Sequence, residues 1–288
     1  MNITELKNKL SAISVWKKNG QRAPHKPLLI LYALGQFQNG ERVELPYEEV
    51  RKKLKHLLIE FGPARKSYHP EEPFVRLVGD GLWQLSSSVD KKSFSDKQLL
   101  TERIVGGFIP EVVDFLKSNN QFVPELASQI LNEHFPDTMH DDILEETGLT
   151  FSYFKKKHRD PNFRERILRA YEYSCAVCGF NVRLGRNIVA IEAAHIKWHQ
   201  VGGPDCEENG IALCSLHHKM FDRGVFTISN EDCLLVSEEA HGTNGFEEWL
   251  MRYHGTSLRK PIRPDYAPKD SFKHWHVREV FRGTARYI

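Results

Sequence analysis

The stretch from Cys175 to His218 constrains the chain more than any other. It opens with Cys175-Ala-Val-Cys178 and closes with Cys214-Ser-Leu-His217-His218. A C-x-x-C turn brings two thiolates together, and a C-x-x-H turn adds a third thiolate and an imidazole. Together they form a closed tetrahedral set suited to zinc. Gly179 supplies the backbone freedom of a tight knuckle. A zinc held by Cys175, Cys178, Cys214 and His217 would be structural, replacing a core that so small a subdomain cannot build. A zinc ribbon would account for these four ligands, and a redox pair for the C-x-x-C alone. Neither accounts for His195, Asn209 and His218, which lie within the same stretch.

That remainder resembles the HNH nuclease motif on a zinc-knuckle-stabilised ββα-metal scaffold. The resemblance rests on Ala194-His195-Ile196, Gly202-Gly203, Asn209 before Leu213-Cys214, and the helix start His217-His218. These elements follow one another in the family's order over about fifty residues. One departure stands out. Many members carry Asp immediately before the first His, where it helps to bind the catalytic metal, and here that position is Ala194. Asp222, four residues after His218 and on the same helix face, is the candidate substitute.

The resemblance implies a division of labour that general chemistry supports. His195 is expected as the general base, since imidazole titrates near neutral pH. A catalytic Mg²⁺ or another divalent cation is expected on His218, with Asp222 as the further candidate ligand, acting as a Lewis acid on the scissile phosphate. Asn209 is expected to orient His195 or its loop, because an amide offers donors and an acceptor without charge.

The rest of the chain sets bounds. At 288 residues it is long enough for two domains. A hydrophobic content of 40% and a charged content of 27% belong to an ordinary globular protein. No apolar run approaches the roughly 20 residues of a membrane span, and the N-terminus reads as no signal peptide. Of five cysteines, Cys206 and Cys233 remain outside the zinc set and read as thiols, which suits a reducing cytoplasm. The net charge of +2 says little, but its distribution is uneven. Acids run from Glu133 to Glu146 with no Lys or Arg, and Lys155-Lys-Lys-His-Arg159 follows. From Ser257 onward, eight basic residues face three acidic ones, interleaved with Tyr266, Phe272, Trp275, Phe281 and Tyr287. Such segregation suits faces that meet a polyanion. The C-terminal aromatics are expected to pack, leaving the basic residues toward DNA.

Taken in order, the first half reads as helices and one hairpin. A capped helix begins near Asn2 with Leu6, Leu10 and Ile13 on one face. Pro27 opens a buried helix through Leu34, and a third runs from Pro46 to Phe61, stopped by Gly62. Phe74–Val78, a Gly79-Asp80-Gly81 turn and Leu82–Leu85 predict a β-hairpin, so the arrangement is winged-helix-like. Two further helices are expected over 110–116 and 125–135. Another, beginning at Asp160-Pro161, carries Phe163, Ile167, Leu168 and Tyr171 into the knuckle.

Pro24-His25-Lys26-Pro27, Phe61-Gly62-Pro63, His69-Pro70-Glu71-Glu72-Pro73-Phe74 and Asp80-Gly81-Leu82-Trp83 resemble the sulfur-binding domain of phosphorothioate-dependent restriction endonucleases. That family joins this domain to a C-terminal HNH domain, the order found here. The resemblance implies a shallow apolar pocket for the backbone sulfur around Tyr68, His69, Pro70, Pro73 and Phe74. It places Arg22, His25, Lys26 and Arg65 on phosphates or base edges. Sulfur is larger and more weakly hydrated than oxygen, and an acid such as Glu72 could repel an ordinary phosphate. A rigid proline turn entering a strand accounts for the same prolines without any ligand.

The chain is therefore expected to be α+β. Residues 1–133 form the sulfur-binding domain, 134–158 a linker and 159–288 the ββα-metal HNH domain. The expected partner is double-stranded DNA carrying a phosphorothioate, with no membrane, and with two subunits acting together for a double-strand cut. A nuclease that reads another modification, and a zinc-stabilised DNA-binding protein that does not cleave, remain open readings.

Overall fold

The computed structural model describes residues 1–15, 23–40, 42–150 and 161–287. Arg22, the basic run Lys155–Arg159 and the expected cap at Asp160 lie outside the described residues. The chain divides into two compact units, Met1–Lys156 and Lys157–Ile288.

In the first unit, α1 (Ile3–Ser11) starts in a capping box: Asn2 accepts from the Glu5 amide and the Glu5 carboxylate accepts from Asn2. Its Leu6 and Leu10 are buried. Helix α2 (His25–Gln38) is apolar all round and buried from Pro27 to Gly35, as a central helix must be. Pro27 sits in its first turn, where an amide has no acceptor within the helix. There follow β1 (Leu45–Pro46), α3 (Tyr47–Phe61), α4 (Glu71–Arg76), β2 (Trp83–Leu85), α5 (Asp96–Thr101), β3 (Val105–Phe108), α6 (Pro110–Ser118), α7 (Val123–His134) and α8 (His140–Thr147). Helix α2 packs against α3, α4, α7 and α8.

Two expectations are corrected here. The hairpin over 74–85 is absent: Phe74 to Arg76 belongs to α4, and Leu77–Asp80 continues as a 3-10 turn. Phe74, Val75 and Leu77 are all buried, so the run is apolar for burial on a helix rather than a strand. Glu71 and Glu72 in the first turn favour that helix through its dipole, and Pro73 costs it no hydrogen bond. β2 instead pairs antiparallel with β3, Trp83 opposite Phe108, in a sheet of order β1-β3-β2. The expected linker over 134–158 begins with folded chain. Ile143, Leu144, Thr147 and Leu149 are buried, and α8 packs on α2 and α3. Its acids Asp141, Asp142 and Glu145 mark the polar face of an amphipathic helix, which composition alone does not distinguish from a tether.

The second unit comprises α9 (Pro161–Ala170), β4 (Val182–Leu184), β5 (Asn187–Val189), β6 (Ile191–His195), β7 (Gly210–Cys214), α10 (Ser215–Asp222), β8 (Phe226–Ile228), β9 (Leu234–Val236), α11 (Phe246–Trp249) and α12 (Asp270–Glu279). Its centre is the antiparallel pair β6–β7, from Ile191 opposite Cys214 to His195 opposite Gly210. Both α9 and α10 pack on this pair. Trp275 and Phe281 are buried, whereas Tyr287 is 96% exposed, so the C-terminal aromatics divide between packing and solvent. His276 of α12 is fully buried, stacks on Phe221 at 3.8 Å, and donates from Nε2 to the Phe221 carbonyl at 3.1 Å. The C-terminal segment thereby fixes the end of α10.

Candidate functional site

The knuckle assembles as its spacing requires. Gly179 takes a φ of +74°, which a side chain would resist. The ligand atoms of Cys175, Cys178, Cys214 and His217 all lie within 4.8 Å of one another. Cys178 and Cys214 sulfurs are 4.0 Å apart, and His217 Nδ1 is 3.6 Å from the Cys175 sulfur. A tetrahedron with metal–sulfur bonds of about 2.3 Å has edges of about 3.7 Å, so the cage fits such an ion. His217 Nε2 donates to the Trp249 carbonyl at 2.8 Å, which leaves the Nδ1 lone pair directed at the sulfurs. Among the described residues no other such metal-binding group occurs, and Cys206 and Cys233 stand outside it.

Strand alternation sorts the remaining residues. Ile191, Ala193 and His195 point to one face of β6, and Glu192 and Ala194 to the other. His195, the last residue of β6, is only 7% exposed and stacks on Phe163 of α9 at 4.1 Å. Its Nε2 lies 2.7 Å from Asp205 Oδ1. Asn209 is fully buried and bonds the loop rather than the imidazole. Its Oδ1 accepts from the Lys197 amide at 2.8 Å, while Nδ2 donates to the carbonyls of Lys197 and Pro204, each at 2.9 Å. The loop folds back tightly: a Cβ on Gly203 would meet the Lys197 carbonyl oxygen at 1.8 Å. Asn209 and Gly203 together hold Asp205 beside His195.

His218, in the first turn of α10, stands between two carboxylates. Nδ1 is 2.6 Å from Glu192 Oε2, and Nε2 is 3.2 Å from Asp222 Oδ2. Burial acts to lower the His218 pKa, but Asp222 and Glu192 overcome it and push it up to about 9. The group thus favours positive charge, and a divalent cation can replace the proton. Ser215 Oγ donates to the other Glu192 oxygen at 2.9 Å and steadies it. Glu192 and Asp205 escape the sequence reading of the site. The first stands in the Glu192-Ala-Ala-His195 phrase, on the face shared with Ala194.

In the first unit an open cleft of about 780 Å³ is lined by residues that include His25, Lys26, Arg65, His69, Glu72 and Pro73. Ser14, Pro63, Arg76, Asp80 and Lys91 line it too and were not expected. Tyr68 and Pro70 sit on the adjoining loop without lining it, and the Tyr68 hydroxyl accepts from the Arg65 amide at 3.4 Å. Phe74 is a correction: it is fully buried against Tyr47 and Trp83, because α4 turns it inward. Lys26 pairs with Asp80 at 2.5 Å, and Asp80 also accepts from the Ser14 amide at 2.7 Å. Glu72 is engaged by Arg76 one turn on. Burial, aided by His69 and Arg65, holds the His25 pKa down to about 4, so the cleft presents a neutral imidazole. Apolar prolines, a neutral ring and surrounding cations suit a weakly hydrated anion.

Comparison with known proteins follows the same division. A family model described as a ScoMcrA-like DNA sulfur-binding domain matches residues 3–152, and one described as an HNH endonuclease matches residues 175–229. No curated protein matches the chain. Among solved structures, the sulfur-binding domain of ScoMcrA complexed with phosphorothioated DNA is 18% identical with a TM-score of 0.43, covering 50% of this chain and 94% of that one. The corresponding SprMcrA complex is 21% identical with a TM-score of 0.45, covering 52% of this chain and 95% of that one. The phosphorothioation-dependent type IV restriction endonuclease ScoMcrA is 18% identical with a TM-score of 0.41, covering 50% of this chain and 32% of that one.

Proposed function

Because the chain belongs to the ScoMcrA-like DNA sulfur-binding domain family and carries an HNH endonuclease domain, we propose that it is a restriction endonuclease that binds phosphorothioated duplex DNA and hydrolyses its backbone. The observation that carries the reading is the union of the two matched regions with their sites: a cation-rimmed cleft in the first, and His195, Asn209 and His218 in the second.

In the first unit, Pro63, Pro73 and the neutral His25 face supply an apolar wall for sulfur, while Arg65 and Lys91 answer the flanking phosphates. In the second, zinc on Cys175, Cys178, Cys214 and His217 holds the knuckle. The donor pair His218 and Asp222 suits Mg²⁺ or another divalent cation, and at 3.2 Å the two atoms have the bite of one ion. When bound, that cation neutralises charge developing on the phosphate. Glu192 fixes the His218 ring. His195 takes the proton of the attacking water, and Asn209 holds the loop that frames His195. One such site cuts one strand, so a double-strand cut calls for two chains acting together.

The test is cleavage of matched duplexes, phosphorothioated and unmodified, with Mg²⁺ and with EDTA, alongside binding at several salt concentrations. Modified DNA should be bound more tightly and cut only with the metal. Affinity should fall with salt, because phosphates are contacted, while the sulfur preference persists. Equal affinity and equal cutting of both duplexes would refute the sulfur reading. Metal-independent inertness on both would leave a DNA-binding protein.

A further inference from the structure

We propose that Asp205 is the positioning residue of the general base, holding His195 as the Nε2-protonated tautomer so that Nδ1 carries the lone pair that takes the water's proton. This inference rests on the endonuclease reading above.

The arrangement is built from several directions. Asp205 Oδ1 lies 2.7 Å from His195 Nε2, and a carboxylate at that distance accepts. In neutral imidazole one nitrogen is the donor and the other the acceptor, so a proton committed to Asp205 through Nε2 assigns basicity to Nδ1. Phe163 stacks on the ring within 13° of parallel and resists its rotation. Asp205 is itself anchored, since Arg166 of α9 donates to its backbone carbonyl at 2.7 Å. The Arg166 guanidinium also pairs with Glu207 at 3.1 Å. His199 also faces the pair, with Nε2 at 4.0 Å from Asp205 Oδ2.

The chemistry then balances. The water oxygen bonds to phosphorus as one of its protons passes to Nδ1. The bond from phosphorus to the leaving oxygen breaks, and that oxygen keeps the electron pair and takes a proton from solvent. The imidazolium formed on His195 is stabilised by Asp205, which remains a carboxylate.

The first measurement is ¹⁵N NMR of histidine-labelled full-length protein, with the His195 signals identified by their loss in His195→Ala. An Nε2-protonated neutral ring is expected, and an Nδ1-protonated ring would overturn the proposal without any variant of Asp205. The second is cleavage by Asp205→Asn across pH. The rate should fall about 10- to 100-fold, as for removal of a group that orients a reacting one, with DNA affinity and zinc content unchanged. Its acid limb should move to lower pH, because the imidazolium has lost its counter-charge. Asp205→Glu should recover part of the rate. A wild-type rate with an unmoved acid limb in Asp205→Asn sinks the inference. If His195→Ala itself cuts normally, the base assignment has failed, which is a different result.

Discussion

Glu192 Oε2 lies 2.6 Å from Nδ1 of His218, across from β6 to α10. The contact commits one ring nitrogen and leaves Nε2 directed toward Asp222. Glu192→Gln should therefore loosen the metal site without touching recognition. Removal of a partner that orients a metal ligand costs about 10- to 100-fold in affinity or activity. Titration of Mn²⁺ followed by electron spin resonance should show the weaker affinity, and DNA binding should match the wild type.

One equivalent of zinc should accompany each folded chain, since the four ligand atoms already lie within 4.8 Å of one another. Cys175→Ser should lower both the zinc content and the melting temperature of the second unit. Elemental analysis and calorimetry check this, and a zinc-free protein with unchanged melting would contradict it.

His195→Ala and Asn209→Ala should both stop cleavage, but for separable reasons. The first removes a base, worth roughly 10² to 10⁴ in rate. The second strips three hydrogen bonds from the loop between β6 and β7 and should also cost about 2–3 kcal/mol of stability. Chemical denaturation should register a loss in both variants, because His195 is itself buried against Phe163 and bonded to Asp205. His195→Gln, which keeps bulk and a donor, should stop cleavage with a smaller loss of stability.

Asp80→Asn should alter both stability and selectivity of the first unit. Lys26 and Asp80 side chains are only 12% and 5% exposed, so the substitution leaves a largely buried cation unpaired. Breaking such a pair costs about 3 kcal/mol. The cleft also gains one positive charge, so affinity for unmodified DNA should rise and the preference for sulfur should shrink. Paired binding isotherms measure the ratio.

His25 gives a pH dependence of definite sign. Its folded value is held down to about 4 by burial, while an unfolded chain protonates near the ordinary 6.5. Between those limits the unfolded state binds more protons, so stability falls as pH drops from 6.5 toward 4. His25→Gln should make that decline shallower in urea titrations. An unchanged slope would show that His25 is not the buried neutral group described here.

The parts of the site legible in the sequence are those whose partners lie within a few residues or share a rigid spacing. Cys175, Cys178, Cys214 and His217 are legible as a candidate metal set because tetrahedral coordination favours C-x-x-C and C-x-x-H turns. Glu192 and Asp205 were invisible as site residues, since each acts across a loop or between elements, and a lone carboxylate carries no spacing signal. Asp80 read as a turn residue and as part of the Asp80-Gly81-Leu82-Trp83 phrase, with no partner assigned, although it neutralises Lys26 from 54 positions away. The run Phe74–Val78 is ambiguous on its own: an apolar stretch that short fits a buried helix as well as a strand. What decided it was β3, which pairs with β2 from about twenty residues downstream.

All four knuckle ligands belong to the second unit, whereas the cleft lies wholly in the first, which has its own buried helix and sheet. On the function proposed above, scarcity of a single trace element would disarm the protein without blinding it. Under starvation such chains would settle on marked sites and leave them whole, sheltering the DNA that zinc-loaded chains would cut.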